Sequence, residues 1–173
     1  MDKFNQVVDY ASTHPNATIR YHASHMVLMK DTDSAYLVLL EAHSRTAGYY
    51  YFTNHMIYYS KVIPTPNGPI IIEFKTLKIV VPSSDESKTG GTSKNAQNLI
   101  PLGHNLKTVY LHQQTTKGSP VITVNLTYQG ILTCLIEPHK NKTWYMRYHW
   151  LEDRIFQQHI QLIWKLGINH WAD

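Results

Sequence analysis

Residues 26–33, Met-Val-Leu-Met-Lys-Asp-Thr-Asp, combine a short apolar run with an acidic end. Apolar runs of about four to eight residues are typical of buried strands. Strand-like sequence also precedes this run, from Ile19 to His25. We therefore predict a buried strand that begins upstream of Met26 and is closed by Asp33.

Four more segments have the composition of strands. They are rich in aromatic, β-branched or aliphatic residues, which favour strands, and several are bounded by glycine or proline. These segments are residues 48–52, 70–74, 121–124 and 160–164.

Three segments carry helical signals. A short amphipathic helix is predicted around Phe4, before a break at residues 14–16. Ser83, followed by two acidic residues, predicts the start of a longer helix, although Gly90-Gly91 inside it costs about 1 kcal/mol per glycine relative to alanine. Apolar residues at helical spacing from Trp144 to Ile155 predict a third. The order of strands and helices predicts an α/β fold with a mixed sheet.

Composition limits the class of protein. A chain of 173 residues is one domain of ordinary size, and its net charge of +4 suits a nucleic-acid partner without requiring one. The single cysteine, Cys134, excludes an internal disulfide and any multi-cysteine zinc site. Because neither a signal peptide nor a membrane-spanning apolar stretch is seen, we expect an intracellular protein, cytoplasmic or nuclear, with no membrane partner.

Six short motifs occur in a fixed order along the chain. They are Thr32–Ser34, Arg45–Tyr49, Ser83–Lys88, Thr123–Asn125, Lys142–His149 and Trp171–Asp173. Taken together, they resemble the ribonuclease H domain of copia-type retrotransposon polyproteins. The resemblance implies a ribonuclease H-like fold over residues 25–173, with a five-stranded mixed sheet flanked by helices and a truncated C-terminal helix. Residues 1–24 are then the tail of the connection from a reverse transcriptase, and the remainder of that polyprotein is an expected partner.

The resemblance also implies a chemistry. In that family four carboxylates hold two Mg²⁺ ions, which hydrolyse the RNA strand of an RNA–DNA hybrid. The corresponding positions here are Asp33, Lys88, Val124 and Asp173. The Lys88 ammonium repels metal ions, and Val124 offers no oxygen ligand, so we predict that Mg²⁺ is not bound and that nuclease activity is lost. Asp33 is also a candidate ion-pair partner for Lys88.

Two alternatives remain open from the sequence. One is a weakly active nuclease, rescued by Mn²⁺ or by Asp85, which lies three residues before Lys88 and could replace the missing carboxylate. A non-catalytic module would instead bind nucleic acid through Lys140, Lys142 and Arg147, which surround aromatic residues. The competing interpretation of this basic segment is the solvated start of a helix.

Overall fold

The computed structural model describes residues 2–54, 67–110, 121–124 and 142–164, together with residue 172. The strands are β1 (Val27–Ala35), β2 (Arg45–Thr53), β3 (Ile71–Thr76), β4 (Val121–Val124) and β5 (Gln161–Trp164). The helices are α1 (Asp2–Thr13), α2 (Ser84–Tyr110) and α3 (Lys142–Phe156), and a short 3₁₀ turn, Leu40–Ala42, joins β1 to β2.

The described strands form a sheet in the order β3-β2-β1-β4-β5. β1 pairs antiparallel with β2, and β2 pairs antiparallel with β3. β4 lies parallel to both β1 and β5. The predicted α/β order with mixed strand directions is therefore observed, and β1 lies at the centre of the sheet.

The prediction of a strand over Ile19 to His25 is wrong, because β1 begins at Val27. The upstream segment is held instead by one side chain, that of Asn67. The Asn67 amide accepts a hydrogen bond from the His22 N–H at 2.8 Å and donates one to the His22 carbonyl at 2.7 Å. This bidentate contact satisfies the backbone of a strand-like segment without a neighbouring strand.

The two faces of β1 belong to different clusters, because successive side chains of a strand point to opposite faces. One cluster lies between the sheet and the helices and includes Leu28, Tyr50, Ala96, Leu99, Leu151 and Ile160. The other lies on the opposite face and includes Val27, Met29 and Tyr51.

α2 forms as predicted from Ser83, whose Oγ accepts a hydrogen bond from the Glu86 N–H at 3.1 Å. The glycine pair inside it has a packing reason. A Cβ at Gly91 would collide with Ser34 Oγ and would stand 2.7 Å from Thr46 Oγ1. Gly91 therefore allows the helix to approach the sheet closely, which offsets its low helix propensity.

The amphipathic helix predicted near the N-terminus is α1, which ends at Thr13, just before the predicted break. Its apolar side chains are not covered by other described residues, since Phe4 is 76% exposed and Val7 is 67% exposed. Among the described residues, no helix has the length and apolar character that crossing a bilayer would need.

Candidate functional site

The end of β1, the end of β4 and the first turns of α2 meet at one edge of the sheet. Val124 on β4 pairs in register with Thr32, one residue before Asp33. Lys88 lies one turn before Gly91 on the same side of α2, and Gly91 packs against Ser34. The structure thus places three of the four predicted site positions at this edge. The fourth, Asp173, lies outside the described residues.

Asp33 and Lys88 are on opposite faces of the sheet. Thr32 and Ser34 both face α2, since Thr32 accepts a hydrogen bond from Asn95 and Ser34 lies against Gly91. Strand alternation places Asp33 on the other face, together with Asp31, which accepts a hydrogen bond from the Tyr51 hydroxyl at 3.3 Å.

The suggested ion pair between Asp33 and Lys88 is therefore corrected by the structure. The four ion pairs among described residues do not include it; they are Lys30–Glu73, Lys75–Glu73, His149–Glu152 and Arg154–Asp153. The physical reason is the period of two in a strand, which turns the Asp33 side chain away from the helix that carries Lys88.

Neutral polar groups occupy the interface between the sheet and the first turns of α2. The buried Asn95 amide donates to Thr32 Oγ1, to the Ala47 carbonyl at 2.9 Å and to Thr46 Oγ1 at 3.3 Å. Ser34 is also buried there, and its hydroxyl has no hydrogen-bond partner in the part of the chain that the structure describes. Within those same ranges, no group of three or more His, Cys, Asp or Glu side chains is placed to hold a metal ion.

A buried charge cluster, which the sequence did not predict, lies on the same face of the sheet. It is centred on Lys30, two residues before Thr32 on β1. Lys30 is fully buried, and its Nζ lies 3.4 Å from Glu73 Oε2 and 3.4 Å from the Asn95 carbonyl. Tyr50 contacts Lys30 Nζ through its hydroxyl and donates to Glu73 Oε2 at 2.8 Å. Gly48 leaves room for this side chain, because a Cβ there would stand 3.0 Å from Lys30 Nζ.

The cluster shifts the pKa of its members. Burial lowers the pKa of Lys30 to about 7, and the Glu73 carboxylate only partly opposes this. Burial raises the pKa of Glu73, but hydrogen bonds from Lys75, Tyr50 and Asn98 outweigh it and bring the pKa down to about 2. Burial raises the pKa of Tyr50 well above its ordinary range. Lys30 stands between the apolar residues 26–29 and the acidic end of the run, and a lysine in such a strand is the sequence signal that could have indicated a buried partner.

A basic cleft of about 510 Å³ lies between the end of β3, α2 and α3. Its cationic lining residues are Lys75, Lys78, Lys94 and Arg147. Of the two described members of the predicted nucleic-acid-binding set, Arg147 lines it and Lys142 does not. Lys142 is exposed on α3 outside the lining, and Lys140 lies outside the described residues.

No protein-family model matches the sequence, and no curated protein matches it. The structure is similar to the N-terminal ribonuclease H domain of Rv2228c from Mycobacterium tuberculosis, with a TM-score of 0.54 and 8% identity over 86% of this chain and 88% of that one. It is also similar to LC11-RNase H1, solved in complex with an RNA/DNA hybrid, with a TM-score of 0.52 and 7% identity over 83% of this chain and 88% of that one.

Identities of this size establish the fold and nothing finer. In both cases the similarity spans most of both chains. The chain therefore has the ribonuclease H-like fold.

Proposed function

We propose that this chain is a degenerate ribonuclease H domain of a copia-type retroelement polyprotein, which has lost nuclease activity and retains nucleic-acid binding. The observation that carries the loss of activity is the position of Lys88. It lies on the side of α2 that packs on the sheet, one turn from Gly91 and toward the end of β1. The resemblance requires a metal-binding carboxylate at this position.

The donor set does not fit a pair of Mg²⁺ ions. Mg²⁺ requires oxygen ligands, and two dications held close together require dense negative charge. Lys88 brings a positive charge, Val124 brings a hydrocarbon side chain, and Asp33 lies on the opposite face from α2. We therefore expect no metal-dependent hydrolysis by this chain.

A weak nuclease rescued by Asp85 is the alternative from the enzyme class. Asp85 is exposed in the first turn of α2, three residues before Lys88. That spacing brings it near the same side of the helix, but the Lys88 ammonium stays beside it. The negative charge at the site would remain smaller than a two-metal mechanism needs. This alternative is therefore less well supported.

The copia-type origin rests on the ordered motifs. Arg45–Tyr49 forms the first half of β2, and Lys142–His149 forms the first half of α3. This origin predicts a reverse transcriptase reading frame immediately upstream of the coding sequence. Sequencing that flank tests it, and an unrelated flanking gene would contradict it.

Nucleic-acid binding is supported by the net charge of +4 and by the basic cleft. One protein of similar fold, LC11-RNase H1, was solved with an RNA/DNA hybrid. The hybrid is therefore the first ligand to test on this chain.

The activity test uses a defined RNA–DNA hybrid incubated with pure protein in Mg²⁺ and, separately, in Mn²⁺. An active ribonuclease H is the positive control, and the Asp33→Asn variant measures background. We expect no RNA cleavage above that background. Metal-dependent cleavage by the unmodified chain that Asp33→Asn abolishes would show that the activity survives.

A further inference from the structure

We infer that the basic cleft formed by Lys75, Lys78, Lys94 and Arg147 binds the sugar–phosphate backbone of a nucleic acid. This inference rests on the proposed binding function and assigns it to a specific surface. The cleft lies beside Gly90, Ser93 and Gln97 of α2, on a different side of the helix from Lys88, Gly91 and Asn95. It is therefore separate from the edge of the sheet where the ancestral metal site is placed.

The charge of the cleft is unbalanced. Among the described residues that line it, there is no aspartate or glutamate. Lys75 is already paired with Glu73 at 2.8 Å, so its charge is partly neutralised. Lys78, Lys94 and Arg147 make no ion pair with any residue that the structure describes. Three cations around one concave surface attract a polyanion, and each phosphate contact releases condensed counterions.

The floor of the cleft leaves room for the side chain of Arg147. A Cβ at Gly90 would stand 2.9 Å from Arg147 Nη1 and 3.5 Å from Leu77 Cδ1. The absence of a side chain at Gly90 thus lets the guanidinium of α3 lie directly on α2. The planar guanidinium of arginine carries its donors in a rigid fork, which suits bidentate contacts with phosphate.

The size and the rim of the cleft also fit a backbone segment. A volume of about 510 Å³ lies within the range of about 300–1,000 Å³ that ligand pockets commonly occupy. Gln97 and Thr76 add polar groups, and Ile79, which is 44% exposed, adds an apolar contact for a sugar. Lys78 and Lys94 are exposed at the rim, so their removal leaves the core intact.

The test compares the unmodified chain with the double variant Lys78→Gln/Lys94→Gln. The matched control is Lys3→Gln/Arg20→Gln, which removes the same charge from exposed positions that do not line the cleft. Binding of a short fluorescent RNA–DNA hybrid is measured by anisotropy over a series of salt concentrations. We expect the cleft variant to lose roughly tenfold to a hundredfold in affinity near ~0.1 M salt, and the magnitude of its salt slope to fall by about 2.

The outcomes separate this inference from the function on which it rests. If the unmodified chain binds the hybrid but the cleft variant matches the Lys3→Gln/Arg20→Gln control, the cleft assignment is wrong and nucleic-acid binding stands. If the unmodified chain does not bind at low salt, both are wrong. If poly-glutamate binds with the same affinity and the same salt slope as the hybrid, the cleft is a site for any polyanion. That result would overturn the assignment to a nucleic-acid backbone.

Discussion

The ammonium of Lys30 lies 3.4 Å from the carboxylate of Glu73, and Lys30 is fully buried while Glu73 keeps some exposure. The pair joins the central strand β1 to the edge strand β3, with Tyr50 of β2 between them. Burial of a charge costs free energy unless its partners compensate. The two members of the pair therefore give the fold two separate pH dependences.

The first pH dependence of stability concerns Lys30. Its pKa in the folded chain, about 7, lies below the ordinary value of 10.5, so between these pH values the unfolded chain holds a proton that the folded chain has released. Stability then rises with pH across this window. Above about pH 10 the trend reverses, because burial raises the pKa of Tyr50 and Tyr51 in the folded chain. We expect Lys30→Met to abolish the rise between pH 7 and pH 10.

Denaturant unfolding at several pH values measures this rise. At pH 6 we expect Lys30→Met to be at least as stable as the unmodified chain, since Glu73 keeps hydrogen bonds from Lys75, Tyr50 and Asn98. The exposed substitution Lys3→Met is the control and should leave the pH profile unchanged. Parallel profiles for Lys30→Met and the unmodified chain would contradict the prediction.

The second pH dependence concerns Glu73, whose pKa in the folded chain is lowered from 4.5 to about 2. The stabilisation by its carboxylate is present above about pH 4.5 and is lost as the pH falls toward 2. We expect Glu73→Gln to lose about 1–3 kcal/mol of unfolding free energy at pH 7, because charge-assisted hydrogen bonds are replaced by neutral ones.

Acid titration of unfolding distinguishes this effect from a general loss of packing. The difference between Glu73→Gln and the unmodified chain should narrow as the pH falls from 4.5 to 2. Glu41→Gln, at an exposed position, is the matched control and should differ little from the unmodified chain at any pH. A difference for Glu73→Gln that stays constant down to pH 2 would rule out the carboxylate as its cause.

The strands and helices with local signals were predictable from the sequence. β2 follows from its aromatic run, and α2 follows from the Ser83 cap, whose hydroxyl accepts a hydrogen bond from the Glu86 N–H. The segment from Ile19 to His25 misled the prediction because its partner is the side chain of Asn67, 45 residues beyond His22, and not a strand. Such a partner leaves no periodic signal in the sequence.

The sites were less predictable, because they depend on distant residues. Lys30 could be noted as a charge in an apolar strand, but its partner Glu73 lies 43 residues away on β3. The basic cleft combines Arg147 with lysines from β3 and α2, whereas sequence proximity had grouped it with Lys140 and Lys142. Lysines from other elements cannot be grouped with Arg147 by local spacing, because they approach it only in the folded chain.

The close approach of α2 to the sheet gives a third prediction. We expect Gly91→Ala to lose about 1–3 kcal/mol of unfolding free energy, because the added Cβ overlaps Ser34 Oγ and crowds Thr46 Oγ1. Gly90→Ala should cost less, since the guanidinium of Arg147 is the end of a flexible side chain and can move away. Denaturant midpoints of the two variants, measured side by side, test this order.

A double variant isolates the close approach of Gly91 to Ser34. Ser34→Ala removes a hydroxyl that has no hydrogen-bond partner among the described residues, so alone it should cost little. Combined with Gly91→Ala, it should recover part of the lost stability, with the remainder due to Thr46. Additive effects of the two substitutions would show that Ser34 is not the group that Gly91 accommodates.

The last prediction concerns the metal site that the proposed origin implies. Lys88→Glu/Val124→Asp replaces a cation and a hydrocarbon by two carboxylates at the edge where β1, β4 and α2 meet. We expect this variant to bind Mg²⁺ roughly tenfold more tightly, or better, than the unmodified chain in isothermal titration calorimetry. The gain should fall short of an intact two-metal site, because Asp33 faces away from α2. Lys94→Glu/Val124→Asp has the same composition but places its first carboxylate on the exposed side of α2, so equal Mg²⁺ affinity in the two variants would show that position 88 does not belong to the site.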